Sequence, residues 1–295
     1  VKAHMRIRTI LLQRSSVKSL TFLGDMFDGV QCPCILLQLI ATGKPLSTAG
    51  MMIEDGTRTY TIAMERTVVP ENFSFRMTDE EYRVLEKIKN SIPVCYLADH
   101  ADFALGIVTG NNKKFLSAEK TQHSEMVLKG TDICKYHINP VKQYLRFEPE
   151  QFQQVAPLEI YRAPEKLLYR FISNQLVVAY DDRQMLSLNS CNIVIPKIEG
   201  MQIKYILAIL NSSVSQFVYQ KEFHSIKVLR AHMEHIPIPR VGKAIQNEII
   251  AMTEPLICGM GKEAAETCQK RLDCRIMDLF RLSAEEQWII RHALH

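Results

Sequence analysis

The 295-residue sequence predicts an α/β (α+β) fold, and three observations carry that prediction. A short strand-like run lies at 17–23, and a continuous apolar run of strand length lies at 35–40, as in a sheet that is buried on both faces. Short apolar runs alternate with polar turns over 94–200, which favours a mixed or antiparallel sheet. Beyond residue 200, apolar residues recur at helical spacing, which predicts a helical C-terminal tail.

The N-terminal third contains a further strand and a helix. Residues 57–64, TRTYTIAM, are rich in residues that favour extended structure. Thr78 and Glu81 have the spacing of a capping box, so a helix is expected from 79 to 90, before Ser91-Ile92-Pro93 ends it. We interpret this helix as a linker between two domains.

Later elements follow from the same signals. Three strands are expected at Leu158–Tyr161, Leu167–Ile172 and Leu176–Tyr180. A single helix is expected from Gln202 to about Phe223. Ser283 and Glu286 form a second capping box, which predicts a final helix.

Composition leaves several function classes open. Apolar residues make up 47% of the chain, and the length suggests about two domains. The net charge of +4 does not by itself demand a polyanionic partner. The surplus is concentrated, however: residues 1–50 and 201–243 each carry six Lys or Arg against two Asp or Glu. Folding could bring these two blocks onto one face.

The eight cysteines indicate a reducing compartment. None forms a C-x-x-C pair, and a disulfide framework is not expected in a chain of this size without a signal peptide. They are therefore expected to be mostly buried free thiols. The sequence has no secretory signal pattern and no apolar run of the roughly 18 to 20 residues that cross a bilayer, so we expect a cytoplasmic location and no membrane partner.

The stretch GIVTGNNKKFL, Gly106 to Leu116, places amides and lysines between apolar runs. The spacing of Gly106 and Gly110 does not fit a phosphate-binding loop. Two interpretations stay open. One is a hairpin turn in which Gly110 and Asn111 adopt positive φ. The other is a loop that meets DNA, because Asn can read adenine and Lys can neutralise phosphate.

No catalytic or metal constellation stands out, and no cofactor is expected in this chain. His224, His232 and His235 lack the spacing and carboxylate partners of a metal site, so surface or capping roles are expected. Asp181-Asp182 could suggest a nuclease pair, but no further acid and lysine complete it, and turn carboxylates are the preferred interpretation. No G-x-S-x-G nucleophile motif is present.

The order of several segments resembles the C-terminal half of adenine-specific DNA methyltransferases and type IIG restriction–modification enzymes, with a TaqI-like C-terminal specificity domain. Segments that carry the resemblance are LGDMFDGVQCPCILLQL (Leu23–Leu39), LGIVTGNNKKFL (Leu105–Leu116), VLKGTDICKYHI (Val127–Ile138), Ala163–Pro196, YILAILNSSVSQFVY (Tyr205–Tyr219) and HIPIP (His235–Pro239). The resemblance implies a remnant of a methylase-type sheet over 1–70, a linker helix over 71–98, a target recognition domain over 99–240 and a helical tail over 241–295.

In this family the S-adenosylmethionine-binding motif and the catalytic N-P-P-Y lie upstream, and neither occurs here. The resemblance therefore implies DNA recognition and leaves open whether this chain takes part in an enzyme. S-adenosylmethionine, and Mg²⁺ if a nuclease is present, are implied only for a longer parent. The alternative is a protein-interaction domain that binds a partner subunit through its C-terminal helices; the oligomeric state is not predicted.

Double-stranded DNA is the partner that the resemblance implies, and basic and amide side chains are the candidate contacts. The candidates are Asn111, Asn112, Lys113, Lys114, Lys129, Lys135, Arg162, Lys166, Lys227 and Arg230. A merely solvated side chain is an open alternative for each single Lys or Arg. Ser187, Asn189 and Ser190 are assigned instead to the structural core of the domain.

Overall fold

A computed structural model describes residues 4–30, 32–56, 58–70, 74–223 and 225–294. The chain divides into two units, Val1–Leu85 and Glu86–His295. The four-part division expected from the sequence is finer than this and stays a prediction. None of the helices in these ranges is long and apolar enough to cross a membrane.

A four-stranded sheet forms the first unit. Its elements are α1 (Met5–Arg14), β1 (Ser15–Asp25), β2 (Pro33–Ala41), β3 (Met52–Asp55) and β4 (Arg58–Thr61). The strand order is β2-β1-β3-β4, with β1 antiparallel to β2 and parallel to β3, and with β3 antiparallel to β4. The strands expected near 17–23, 35–40 and 57–64 are therefore present, although Thr57 lies outside the described residues.

The expectation that the 35–40 strand is buried on both faces is wrong for this unit. β2 is an edge strand, and Ile35, Leu36 and Ile40 are 55%, 61% and 51% exposed. Its apolar run has no covering layer among the described residues of the unit. The core lies on the other strands instead, around Val17, Leu20, Met51, Ile53, Ile62 and Phe75.

The expected helix is confirmed as α2 (Asp79–Asn90). Its capping box is complete, since the Thr78 hydroxyl accepts from the Glu81 N–H at 3.2 Å and the Glu81 carboxylate accepts from the Thr78 N–H at 2.8 Å. Buried Arg66 donates to the Asp79 carboxylate at 2.5 Å and so holds the start of α2 within the first unit.

Two four-stranded sheets form the body of the second unit. Its strands and short helices are β5 (Val94–Cys95), β6 (Ala101–Ala104), α3 (Asn112–Phe115), β7 (Leu116–Ser117), β8 (Glu125–Leu128), β9 (Tyr144–Leu145), α4 (Leu158–Tyr161), β10 (Lys166–Arg170), β11 (Val178–Asp181), β12 (Leu186–Ser187) and β13 (Cys191–Pro196). One sheet, β11-β10-β13-β6, is antiparallel; the other, β12-β8-β9-β7, is mixed. The expected mixed or antiparallel sheet is confirmed.

The expectation of a strand at Leu158–Tyr161 is wrong. The segment is the single helical turn α4, which begins after Pro157. Its last residue, Tyr161, is buried and donates its hydroxyl to the Leu105 carbonyl at 3.3 Å. One helical turn lets this single large side chain point inward while Leu158 and Glu159 stay in solvent.

The C-terminal part of the second unit is helical, as expected. After α5 (Ile203–Asn211) and α6 (Ser213–Phe223) come α7 (Arg230–Met233), β14 (Ile238–Pro239), α8 (Lys243–Cys258), α9 (Lys262–Leu279) and α10 (Ala284–Ala293), and β14 pairs with β5. The capping box of Ser283 and Glu286 is confirmed at the start of α10.

The single helix expected from Gln202 to Phe223 is two helices. Ser212 is extended, and its hydroxyl donates to the Ile209 carbonyl at 2.7 Å. The amide of Asn211 pairs with the backbone of Val178 in β11 through two hydrogen bonds. These polar side chains end α5 because they bond to backbone groups in place of the next helical turn.

The cysteines are free, as expected, but they are not mostly buried. Cys95 and Cys191 are buried, whereas Cys32, Cys258 and Cys274 are exposed and the other three are intermediate. Burial raises the pKa of the Cys191 thiol far above its ordinary value. That thiol is therefore protonated at neutral pH and serves as an apolar packing group.

Candidate nucleic-acid interface

The Gly106–Leu116 stretch ends in a capped helical turn, and the hairpin interpretation is wrong. Gly110 has φ of +76°, as expected, but Asn111 has φ of −150°. Asn111 caps α3, because its side-chain oxygen accepts from the Lys114 N–H at 3.2 Å. The side-chain oxygen of Asn112 accepts from the Thr109 hydroxyl at 2.6 Å. The turn thereby holds Asn112 and Lys113 in place at the surface.

Two glycines bring three segments of the domain unusually close together. A Cβ on Gly106 would lie 2.1 Å from the Leu188 carbonyl oxygen, and a Cβ on Gly130 would lie 2.6 Å from the Ser190 carbonyl oxygen. No other residue type fits at these distances without moving the backbone. The segments after β6, β8 and β12 therefore converge.

Backbone hydrogen bonds fix that convergence. The Ile107 N–H donates to the Ser187 carbonyl at 2.7 Å, and the Leu188 N–H donates to the Leu128 carbonyl at 2.7 Å. The Ser190 hydroxyl accepts from the Gly130 N–H at 3.0 Å. The 187–190 segment is thus held between Ile107, which follows β6, and the end of β8.

A cavity of about 450 Å³ opens where these segments meet, and we call it the recognition cavity. Its lining residues are Asn112, Lys113, Leu116, Lys129, Gln143, Leu188, Asn189 and Ser190. A smaller cavity of about 280 Å³ shares Lys129 and Gln143 and is also lined by Lys142 and Asp132. The two form one concave surface of lysines and amides.

The Asn112 oxygen and the Ser190 hydroxyl of this surface accept internal hydrogen bonds, and its lysines and its other side-chain amides are available to a ligand. Among the described residues, no carboxylate forms an ion pair with Lys113, Lys129 or Lys142, and the side-chain amides of Gln143 and Asn189 have no hydrogen-bond partner. Asp132 is the acid nearest in sequence to Lys129, and its carboxylate accepts a hydrogen bond from the Lys129 backbone N–H at 2.9 Å. Such a surface can neutralise anions with its ammonium groups and read hydrogen-bonding edges with its amides.

The structure brings three of the ten predicted contact residues together at the recognition cavity: Asn112, Lys113 and Lys129. Asn111 lies beside them, but its oxygen is committed to the cap of α3. The Lys114 ammonium lies 4.6 Å from the centre of the Phe115 ring and 3.5 Å from the Gln151 amide oxygen. It is exposed on the same helical turn, outside the cavity wall.

Three other candidates lie elsewhere in the domain. Arg162 pairs with Glu125 at 2.6 Å and donates to the Gln184 carbonyl. Arg230 pairs with Glu234 at 2.7 Å and lies 5.1 Å from the centre of the Phe103 ring. Lys227 is exposed on the segment that joins α6 to α7.

Lys135 lies away from the recognition cavity. Its ammonium donates to the Asn211 carbonyl at 3.1 Å, and it lines a different cavity, of about 580 Å³, together with Asp273. Burial lowers the pKa of Lys135, and the Asp273 charge opposes that shift. Its inward position makes it a poor candidate for a DNA contact.

The prediction that Lys166 contacts DNA is wrong. Its side chain is 0% exposed, and its ammonium lies 2.5 Å from the equally buried Asp181 carboxylate and donates to the Tyr161 carbonyl at 2.7 Å. Burial lowers the pKa of Lys166, and the Asp181 charge opposes the shift. A phosphate cannot reach this ammonium group, so Lys166 is a structural residue.

Asp181 and His232 have structural roles, as expected. The Asp181 carboxylate accepts from the backbone N–H groups of Arg183 and Met185, as a turn carboxylate does. His232 caps α7 by accepting from the Leu229 N–H at 3.2 Å, and burial lowers its pKa to about 4. His224 lies outside the described residues, among which no group of three metal-ligating side chains occurs.

Sequence reasoning missed part of the cavity wall. Ser187 is buried and Ser190 bonds to Gly130, as structural residues do, but the side chain of Asn189 is exposed and lines the cavity. Gln143 lines it too, although nothing in its local sequence marks it as a contact residue. The pairing of segments distant in sequence brings both side chains to the cavity, and no local pattern signals that pairing.

Residues 125–238 match the model of the TaqI-like C-terminal specificity domain, so this part of the chain is a domain of that type. The recognition cavity draws Lys129, Gln143 and the 188–190 segment from the matched region. No curated protein matches the sequence.

Among solved structures, the type IIL restriction–modification enzyme MmeI, determined in complex with DNA, aligns with a TM-score of 0.56 at 10% identity, over 97% of this chain and 48% of that one. The HsdS subunit from Thermoanaerobacter tengcongensis aligns with a TM-score of 0.36 at 13% identity, over 73% and 50% of the two chains. The type IIG endonuclease BpuSI aligns with a TM-score of 0.38 at 10% identity, over 95% and 45%. The chain thus spans about half the length of these structures, and the MmeI likeness shows a shared fold.

Proposed function

We propose that this chain recognises a specific sequence of double-stranded DNA, as the specificity part of a restriction–modification enzyme that methylates adenine. The observation that carries the proposal is the recognition cavity, in which exposed lysines and amides converge and to which the TaqI-like specificity domain contributes Lys129, Gln143 and the 188–190 segment. Lysines suit phosphates, and amides suit the base edges of the major groove.

Each side chain has a distinct role in this proposal. Lys113 and Lys129 contact phosphates and set the register of the protein on the duplex. Asn189 and Asn112 read base edges. The Asn189 amide can donate and accept at once, as the edge of adenine requires, whereas Asn112, whose oxygen accepts from the Thr109 hydroxyl, offers its N–H groups as donors. Asn111 acts indirectly, since its cap holds the α3 turn that carries Asn112 and Lys113.

Adenine methylation and any cleavage are proposed for the longer enzyme and not for this chain. They would need S-adenosylmethionine, and Mg²⁺ for a nuclease, bound by residues outside this sequence. The cytoplasm is the compartment proposed for such an enzyme, since its DNA substrate lies there.

Selection of bound duplexes from a random-sequence pool tests the proposal. The 295-residue chain should enrich one sequence, and Asn112→Ala combined with Asn189→Ala should lose that enrichment while keeping most non-specific affinity. Asn90→Ala, an exposed amide at the end of α2, is the matched control and should select as the wild type does. A wild-type chain that binds every duplex equally, or none, contradicts sequence recognition.

A further inference from the structure

Ile172 and Lys227 face each other across a short antiparallel bridge in the specificity domain. The Ser173 N–H donates to the Ile226 carbonyl at 2.9 Å, and the Val228 N–H donates to the Phe171 carbonyl at 2.7 Å. These two bonds flank the pair, so Ile172 and Lys227 are the non-hydrogen-bonded type of partner. Their side chains therefore leave the same face, close together.

Both side chains are exposed to solvent, although backbone hydrogen bonds fix the segments that carry them. Ile172 is 61% exposed, and Lys227 is exposed without a carboxylate partner among the described residues. The Lys227 N–H donates to the Ser225 hydroxyl at 3.1 Å, which fixes the approach to the bridge. An exposed β-branched side chain therefore stands beside an exposed cation on a hydrogen-bonded backbone.

The bridge is continuous with the recognition cavity. The Phe171 N–H donates to the carbonyl of Ser190, a cavity residue, at 3.0 Å. The neighbouring Arg170 guanidinium donates to the Gly130 carbonyl at 2.8 Å, next to Lys129. Ile172 thus lies one residue beyond a direct backbone contact with the cavity wall.

We infer that Ile172 and Lys227 form a second contact with duplex DNA, in which Lys227 binds a phosphate and Ile172 packs on the C5 methyl group of a thymine. The inference rests on the proposed function and extends it with a residue that reads a base by apolar contact. A thymine methyl is the apolar group on the edge of a DNA base, and small aliphatic side chains suit it. The charge of Lys227 and the continuity with the cavity argue for DNA as the partner.

Binding of three variants to the duplex selected from the random pool tests this contact. Ile172→Ala should weaken binding roughly five- to tenfold, by loss of buried apolar surface, with an unchanged salt slope. Lys227→Met should lower the slope of log K against log salt by about 0.9, the value for one phosphate. Ile226→Ala is the matched control, because Ile226 is 59% exposed on the same segment but is not the bridge partner of Ile172. It should bind as the wild type does.

Replacing the thymines of the duplex by uracil removes the methyl groups and identifies the base contact. The wild type should lose affinity on the uracil duplex by the same factor as Ile172→Ala on the thymine duplex, and the variant should not distinguish the two. An Ile172→Ala variant that binds both duplexes like the wild type overturns the inference while leaving DNA recognition intact. If Ile172→Ala loses affinity relative to the wild type by the same factor on the thymine and the uracil duplex, the thymine contact is overturned. A wild-type chain that binds no DNA overturns the proposed function together with it.

Discussion

Lys129 and Lys166 belong to the same specificity domain, and the structure uses them in opposite ways. Lys129 is exposed, has no carboxylate partner among the described residues and lines the recognition cavity. Lys166 is fully buried between Asp181 and the Tyr161 carbonyl. The sequence presents both as basic residues near polar turns. A lysine is therefore a candidate DNA contact only where the fold leaves its ammonium group exposed and without a carboxylate partner.

Substitution of the buried lysine, Lys166, should have the largest effect on stability. Lys166→Met leaves the Asp181 carboxylate buried without its counter-charge, so the free energy of unfolding should fall by about 3–5 kcal/mol. Lys129→Met should change it by no more than about 0.5 kcal/mol. Denaturant unfolding of the two variants measures both.

A second variant protects that test against a simple packing effect. Lys166→Met combined with Asp181→Asn should recover part of the stability, because no uncompensated charge remains. A Lys166→Met protein as stable as the wild type would mean that the pair is not the source of the difference between the two lysines.

Substitution of Gly106, which lies against the 187–190 segment of the cavity wall, should have the next largest effect on stability. Gly106→Ala places a Cβ 2.1 Å from the Leu188 carbonyl oxygen, so the 187–190 segment must move, at a cost of about 1–3 kcal/mol in the free energy of unfolding. Gly242→Ala is the control, since a Cβ there meets nothing within 4 Å. Equal stability of both variants in thermal unfolding would contradict the close approach.

The pH dependence of stability should show a smaller effect. Burial lowers the pKa of His232 to about 4 in the folded chain, against an ordinary value of 6.5. The unfolded state therefore binds the proton first, and this residue's contribution to stability is lost as the pH falls from about 6.5 towards 4. His232→Gln should flatten the stability curve in that window, and the exposed His235→Gln should not. Superimposable curves for His232→Gln and the wild type would refute the assignment.

Local signals predict much of the fold correctly. Thr78 and Ser283 start helices because capping is decided within three residues. The strand predicted at Leu158–Tyr161 is wrong because a run of four apolar and polar residues fits one helical turn as well as a strand, and the burial of Tyr161 decides between them.

The candidate site is predictable only in part, because some of its residues are brought to it by contacts between segments that are distant in the sequence. Asn112, Lys113 and Lys129 stand out by residue type and by resemblance to a known family. Asn189 does not, because it reaches the cavity through backbone pairing of its segment with residues 107 and 128, far away in the sequence. The prediction for Lys166 is wrong since its burial depends on Asp181 in a neighbouring strand.

The salt dependence of DNA affinity tests the central claim most directly. Lys113→Gln combined with Lys129→Gln should lower the slope of log K against log salt by roughly 1.8, or 0.9 for each phosphate that the protein no longer neutralises. Lys262→Gln combined with Lys270→Gln removes two exposed charges of α9, away from the cavity, and should leave the slope unchanged. A slope that stays at the wild-type value in the cavity variant, or that falls equally in both, would contradict the assignment of the recognition cavity to DNA.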